Sequence, residues 1–214
     1  MEKQAIFNDF NDHLCLDDQP SYYFEKIFSV ELFRHSYPFN LLSDLEKVEQ
    51  SPQHHREGNV WKHTLLVVDG AAALRQQSKH PRVLMWAALL HDLGKVPATE
   101  VRGGRITAYD HDKWGEKLAL DFLREFTEDE TFMQAVAKLV RWHMQILFVV
   151  KKLPFAELES MVKEVDIDEL GLLSLCDRLG RGGLSERQRN EEYENLAYFL
   201  NQCQQIQVEN LQQQ

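Results

Sequence analysis

Trp86-Ala87-Ala88-Leu89-Leu90-His91-Asp92-Leu93-Gly94-Lys95 is the stretch on which the reading of this chain turns. An apolar helical run ends in an adjacent imidazole and carboxylate, and a glycine follows at once. Once buried, either group costs free energy unless it is paired or bound to a cation. Packing therefore explains the pair poorly, and a metal site explains it well. His63 stands upstream, and His111, His143 and Asp177 stand downstream. Any one histidine is more commonly a core or surface residue than a ligand; it is the ordered series that points to a metal. Imidazoles suit first-row transition ions and carboxylates suit harder ones, so the mixed set admits Mn²⁺, Ni²⁺, Fe²⁺, Co²⁺ or Mg²⁺.

Outward from that stretch the periodicity is helical, and alternating strand-like runs are nearly absent. Pro81 opens the helix that carries Leu84, Ala87, Ala88 and Leu90, and Gly94 and Pro97 stop it. A strong helix over 61–77 precedes it. Shorter helices are expected over 22–33 and 41–48, and 51–58 reads as a loop punctuated by Pro52 and Gly58. Residues 99–110, with Gly103-Gly104-Arg105, read as a polar loop. Helices then follow over 111–126, 129–143, 155–165, 168–179 and 185–206, the last capped by Ser185. The expected fold is an all-α bundle with the metal at its centre, where facing helices commonly build such sites.

His63, His91, Asp92 and Asp177 come from three of these helices and make one set of ligands. His111 and His143, each at a predicted helix end, are expected to hold a second ion. Asp92 would then bridge, since one carboxylate has two oxygens to share. Two ions about 3.5–4 Å apart clamp a phosphoryl group and generate hydroxide between them, so the expected chemistry is hydrolysis of a phosphate ester by a metal-bound hydroxide. Asp92 and Lys95 are the expected catalytic residues. Lys95, Arg105 and Arg181 are candidate phosphate contacts, with arginine offering a bidentate fork. Asp112 is a candidate to orient a ligand histidine or a water. Trp61, Trp86, Trp114 and Trp142 are expected in the core rather than as base-stacking surfaces. His13, His35 and His80 are expected in solvent, and His54 and His55 either line the pocket mouth or face solvent.

The residues also resemble a known family. The H…HD…D order is similar to the HD superfamily of metal-dependent phosphohydrolases. The segments His54-His55-Arg56-Glu57-Gly58-Asn59-Val60-Trp61-Lys62-His63, Ala87 to Thr99, Asp110-His111-Asp112-Lys113-Trp114-Gly115 and Leu173 to Arg181 resemble the HD domain of bacterial CCA-adding tRNA nucleotidyltransferases. The resemblance covers roughly residues 20–185. It departs at Asp110-His111-Asp112, where that family has Gly-His-Glu. Residues 1–50 read as a helical extension packed on the core, 51–206 as the HD domain, and 207–214 as a disordered glutamine-rich tail. No nucleotidyltransferase head is expected ahead of the domain, so CCA addition is not expected either. The resemblance implies hydrolysis of a 2′,3′-cyclic phosphate, a 2′-phosphate or a simple phosphomonoester of a small nucleotide. A 5′-nucleotidase or dinucleotide polyphosphate hydrolase on the same fold is the alternative. A non-catalytic, metal-stabilised module binding RNA or protein is the alternative from another class.

Composition agrees with a small substrate. The 214 residues carry a formal net charge of −10, which disfavours tight nucleic-acid binding, since that needs a broad basic surface. Three cysteines without CxxC spacing suggest neither a disulfide framework nor a zinc knuckle. The polar start and the lack of a long apolar run give the expectation of a cytoplasmic protein without membrane contact. Whether residues 22–48 cap the pocket or form a homodimer contact is left open by the sequence.

Overall fold

Helix starts are written in the chain. Asn59 accepts a hydrogen bond from the Lys62 amide, Asp129 from that of Phe132, and Asp166 from those of Asp168 and Glu169. Each satisfies donors that the first turn leaves open. The computed structural model describes residues 2–53 and 55–212. In chain order the elements are α1 (Lys3–Leu16), α2 (Ser21–Ile27), α3 (Glu31–His35), α4 (Asn40–Ser43), α5 (Val60–Leu74), α6 (Pro81–Leu90), α7 (Lys95–Ala98), β1 (Thr99–Arg102), β2 (Arg105–Ala108), α8 (His111–Arg124), α9 (Glu130–Trp142), α10 (Gln145–Val150), α11 (Leu158–Glu164), α12 (Ile167–Leu179) and α13 (Glu186–Gln212). Short 3₁₀ turns follow α4 and α5. The fold is all-α apart from the two-stranded hairpin.

α6 is the axis. Every residue from Leu84 to Leu90 is buried, as expected of a helix that is apolar all round. α1, α5, α9 and α12 pack around it. The core is one continuous cluster, running from Ile6 and Phe10 of α1 through α5 and α6 to Phe199 and Cys203 of α13. The N-terminal segment is part of that core: Phe10 lies among Phe24, Phe33 and Phe39, and Phe28 lies 5.0 Å from Trp61. Trp86 of α6 stacks on Phe7 of α1 at 4.8 Å and donates from Nε1 to Asn11. Trp86→Ala is expected to cost about 3–5 kcal/mol, read as a lower midpoint in urea unfolding with an unchanged slope.

Several boundaries differ from the sequence expectation. Residues 3–16 form a full helix, and 22–33 splits into α2 and α3 around Ser29. α10 falls in a stretch that was not assigned. The expected loop over 99–110 contains the antiparallel β1–β2 hairpin, with Val101 opposite Ile106. Gly103 and Gly104 both have positive φ (56° and 76°), the conformation a two-residue hairpin turn demands. Four-residue strands are too short to show a period of two, which is why the hairpin went unread. α13 continues through 207–212, where a disordered tail was expected; Gln213 and Gln214 lie outside the described residues. Trp61, Trp86 and Trp142 are in the core, whereas Trp114 is 48% exposed. No helix among the described residues is long and apolar enough to cross a membrane.

Candidate metal centre

The buried end of α6 delivers His91, and the turn after it delivers Asp92. His63 enters from the first turn of α5, Asp177 from the last turn of α12, His111 from the start of α8, and His143 from the residue after α9. The six residues expected from the sequence converge. His63 Nε2 is 2.9 Å from Asp177 Oδ1 and 3.9 Å from Asp92 Oδ2. His91 Nε2 is 3.2 Å from Asp92 Oδ2 and 4.0 Å from Asp177 Oδ1. On the other side, Asp92 Oδ1 is 3.6 Å from His111 Nε2 and 4.0 Å from His143 Nε2. Those two imidazole nitrogens are 3.3 Å apart.

Tautomers decide what this geometry means. Nδ1–H of His91 donates to Ala88 O, that of His111 to Ala108 O, and that of His143 to Val140 O. A proton on Nδ1 leaves a lone pair on Nε2, and all three lone pairs point into the cluster. Burial and the neighbouring His143 lower His111 to about 4. Burial and His91 lower His143 as well. Both are neutral acceptors near neutral pH, facing each other and a carboxylate. Asp92 is held well below the usual carboxylate range: burial opposes ionisation, but His91 and Lys95 outweigh it. His91 Nε2 is buried without a hydrogen-bond partner, and such an atom calls for an explanation, an ion among them. The converging acceptor atoms of His91, His111, His143 and Asp92 fit a divalent cation. Among the described residues, three groups of ligand atoms have their atoms within 4.8 Å of one another: His55–Glu57–His63, His63–His91–Asp92 and Asp92–His111–His143. Asp92 belongs to the last two, and His63 to the first two.

His63 differs from the other three. Burial would lower it, but the carboxylates of Asp177 and Glu57 outweigh that and raise it to about 9. Lys95 borders the cluster: its Nζ lies 2.8 Å from Asp92 Oδ2 and donates to Gln50 Oε1 at 2.8 Å, with the side chain still 14% exposed.

Other expectations land elsewhere. Arg105 is exposed beside the hairpin turn. Arg181 donates to Glu192 Oε1 at 2.7 Å and to Arg178 O, so its guanidinium braces α12 against α13 rather than facing the cluster. Asp112 pairs with buried Arg141 at 2.6 Å, not with a ligand histidine; one buried charge neutralises the other. His55 pairs with Glu57, and His54 lies outside the described residues. Glu57 and Gln50 are not singled out by the sequence: Gln50 meets Lys95 45 residues away, and Glu57 sits in a loop where a buried carboxylate is not expected.

Residues 60–182 match the HD domain family. The chain belongs to that family. Among similar proteins, the multifunctional CCA protein of Aromatoleum aromaticum is 31% identical over 150 residues, covering 65% of this chain and 34% of that protein. That of Azoarcus sp. is 30% identical over 165 residues, 70% of this chain and 37% of its own length. That of Actinobacillus pleuropneumoniae serotype 5b is 40% identical over 78 residues, 36% of this chain and 18% of its own. These matches span no more than about a third of the relatives' length and fall on the HD region. Family membership implies metal-dependent, phosphohydrolase-type chemistry, and the buried His/Asp cluster is the part of this HD domain able to hold the metal.

Proposed function

We propose that this HD domain is a phosphohydrolase that cleaves a phosphate ester of a small nucleotide: a 2′,3′-cyclic phosphate, a 2′-phosphate or a phosphomonoester. The observation that carries the reading is the sharing of Asp92 between two groups of converging acceptors. His63, His91, Asp92 and Asp177 would hold one divalent ion, and Asp92, His111 and His143 a second. Bound there, such ions acidify water and neutralise phosphoryl oxygens. The chain's own groups do the rest. His91 and Lys95 keep Asp92 ionised against its burial. The three carbonyl-anchored imidazoles keep their lone pairs aimed inward at no reorganisation cost. Lys95 offers an ammonium at the edge of the cluster, where the charge developing on a phosphoryl group is worth most in a partly dry site. Arg105 on the hairpin is the outer candidate for a phosphate contact. The acidic net charge favours a small substrate over a nucleic-acid polymer.

The test is turnover of 2′,3′-cyclic nucleotides, 2′-nucleotides and 5′-monophosphates with added Mn²⁺, Ni²⁺ or Mg²⁺. Hydrolysis of the cyclic or 2′-phosphates that stops with chelator supports the reading. Turnover confined to 5′-monophosphates moves it to a 5′-nucleotidase, and bound metal without turnover of any of them moves it to a binding role. Lys95→Ala is expected to lower kcat/KM by about 10²–10³-fold while the protein still binds Mn²⁺. An unchanged kcat/KM removes Lys95 from the substrate.

A further inference from the structure

His91, His111 and His143 share one device, a hydrogen bond from Nδ1–H to the carbonyl three residues earlier. His63 cannot use it in the same way. The carbonyl three residues before it, Val60 O, already accepts the Thr64 hydroxyl at 3.0 Å. His63 Nδ1 instead faces a carboxylate, Glu57 Oε1, at 3.0 Å. The same oxygen takes His55 Nδ1 at 2.8 Å, and the other oxygen accepts the Gly182 backbone N–H at 2.8 Å. The Glu57 side chain is only 4% exposed although it sits in a loop. Glutamate is seldom buried unless paired, and here its partners are His63 of the site, the neighbouring His55 and Gly182 in the segment just after Asp177.

We propose that Glu57 is the positioning residue of His63, and that it sets the affinity of one ion of the pair. It orients the ring so that Nε2 faces Asp177 and Asp92. The contact is an ion pair rather than an aligned hydrogen bond, since His63 Nδ1 has no hydrogen-bond partner of good geometry. A carboxylate this close still makes His63 a stronger electron donor than a carbonyl makes the other three. Through Gly182 it clasps the chain that follows α12 onto the loop that precedes α5, bracing His63 and Asp177, 114 residues apart, against each other. The ion of the His63 group depends on Glu57; the ion of the His111 group does not. This inference rests on the metal-centre reading above.

Mn²⁺ titration of the full chain by calorimetry, with thermal melting of the metal-free protein, tests it. Glu57→Gln removes the charge and keeps one acceptor oxygen, which can face His63 or the Gly182 N–H but not both. The expected result is that one Mn²⁺ binds about 10–100-fold more weakly and the other is unaffected, a split that a general loss of fold stability would not produce. In a His143→Ala background, which leaves the His63 group intact, the same loss is expected on adding Glu57→Gln. Mn²⁺ bound as tightly by Glu57→Gln as by wild type overturns the proposal. So does an equal weakening of both ions together with a lowered metal-free melting temperature, which is the signature of a loop clasp alone. Wild-type protein that binds no Mn²⁺ fails the metal-centre reading, and the inference with it.

Discussion

Asp92→Ala is expected to abolish binding of both divalent ions and to lower phosphate-ester hydrolysis by at least about 10³-fold. The size of the effect follows from the two sides of one carboxylate. Oδ2 faces His91 and His63, and Oδ1 faces His111 and His143. Removing any one histidine depletes one group of ligands, whereas removing Asp92 depletes both. Calorimetry with Mn²⁺ and a turnover assay on the same sample read the outcome. Asp92→Ala protein that still binds two ions would displace Asp92 from the bridging place. The variant's fold is checked by circular dichroism, since the substitution also takes the 2.8 Å ion pair from Lys95.

Gly94→Ala is the second large effect, and it acts through the backbone. A Cβ at Gly94 would stand 1.9 Å from His111 O and 2.6 Å from Gly115 N. Neither atom can swing aside as a side chain would. The turn after Asp92 and the first turn of α8 meet there without room for a methyl group, so the substitution must push α8 outward and carry His111 with it. Overpacking of this kind costs about 3 kcal/mol or more, a fall in Tm of roughly 6–12 °C for a chain of this size. The ion of the Asp92–His111–His143 group is expected to weaken along with the fold. A Gly94→Ala protein with wild-type Tm and two tight Mn²⁺ ions would show that the approach of these backbones is not what seats His111.

The glycine after His91-Asp92 was read from the sequence as a helix stop. Its closer role is steric, and it becomes visible only when α8, far along the chain, is set against it. The same contrast runs through the site. The six candidate ligands, which the structure brings together, are legible because their chemistry is local: imidazoles and carboxylates at the ends of apolar helices have few bland explanations. Asp112 was misread because its partner, Arg141, lies 29 residues away and nothing in the word Asp110-His111-Asp112 announces a buried arginine. Gln50 carries no pattern of its own and gains meaning only from its long-range contact with Lys95; Glu57 lies in a word that resembles the family, but its burial shows only when Gly182 is set against it. Trp114, expected in the core from its place on a predicted helix, falls on the outer side of an amphipathic helix whose inner side is His111, Gly115, Ala119 and Phe122. The long helices were legible from their apolar period; α1 was passed over although Ile6, Phe7, Phe10 and Leu14 lie on one side of it.

The shared core has a consequence for how the chain is partitioned. Homology bounds the family at residues 60–182, and that interval contains all six ligands. It omits Phe7, Phe10, Phe24 and Phe39, which seal the outer side of α5 and α6, together with Glu57 and Gln50, which hold His63 and Lys95. The stretch that matches the family and the stretch that folds as one body are therefore different lengths of polypeptide. A chain cut at residues 60 and 182 would keep the candidate donors and lose the contacts that fix them, so the family boundary is a poor guide to where this protein can be trimmed.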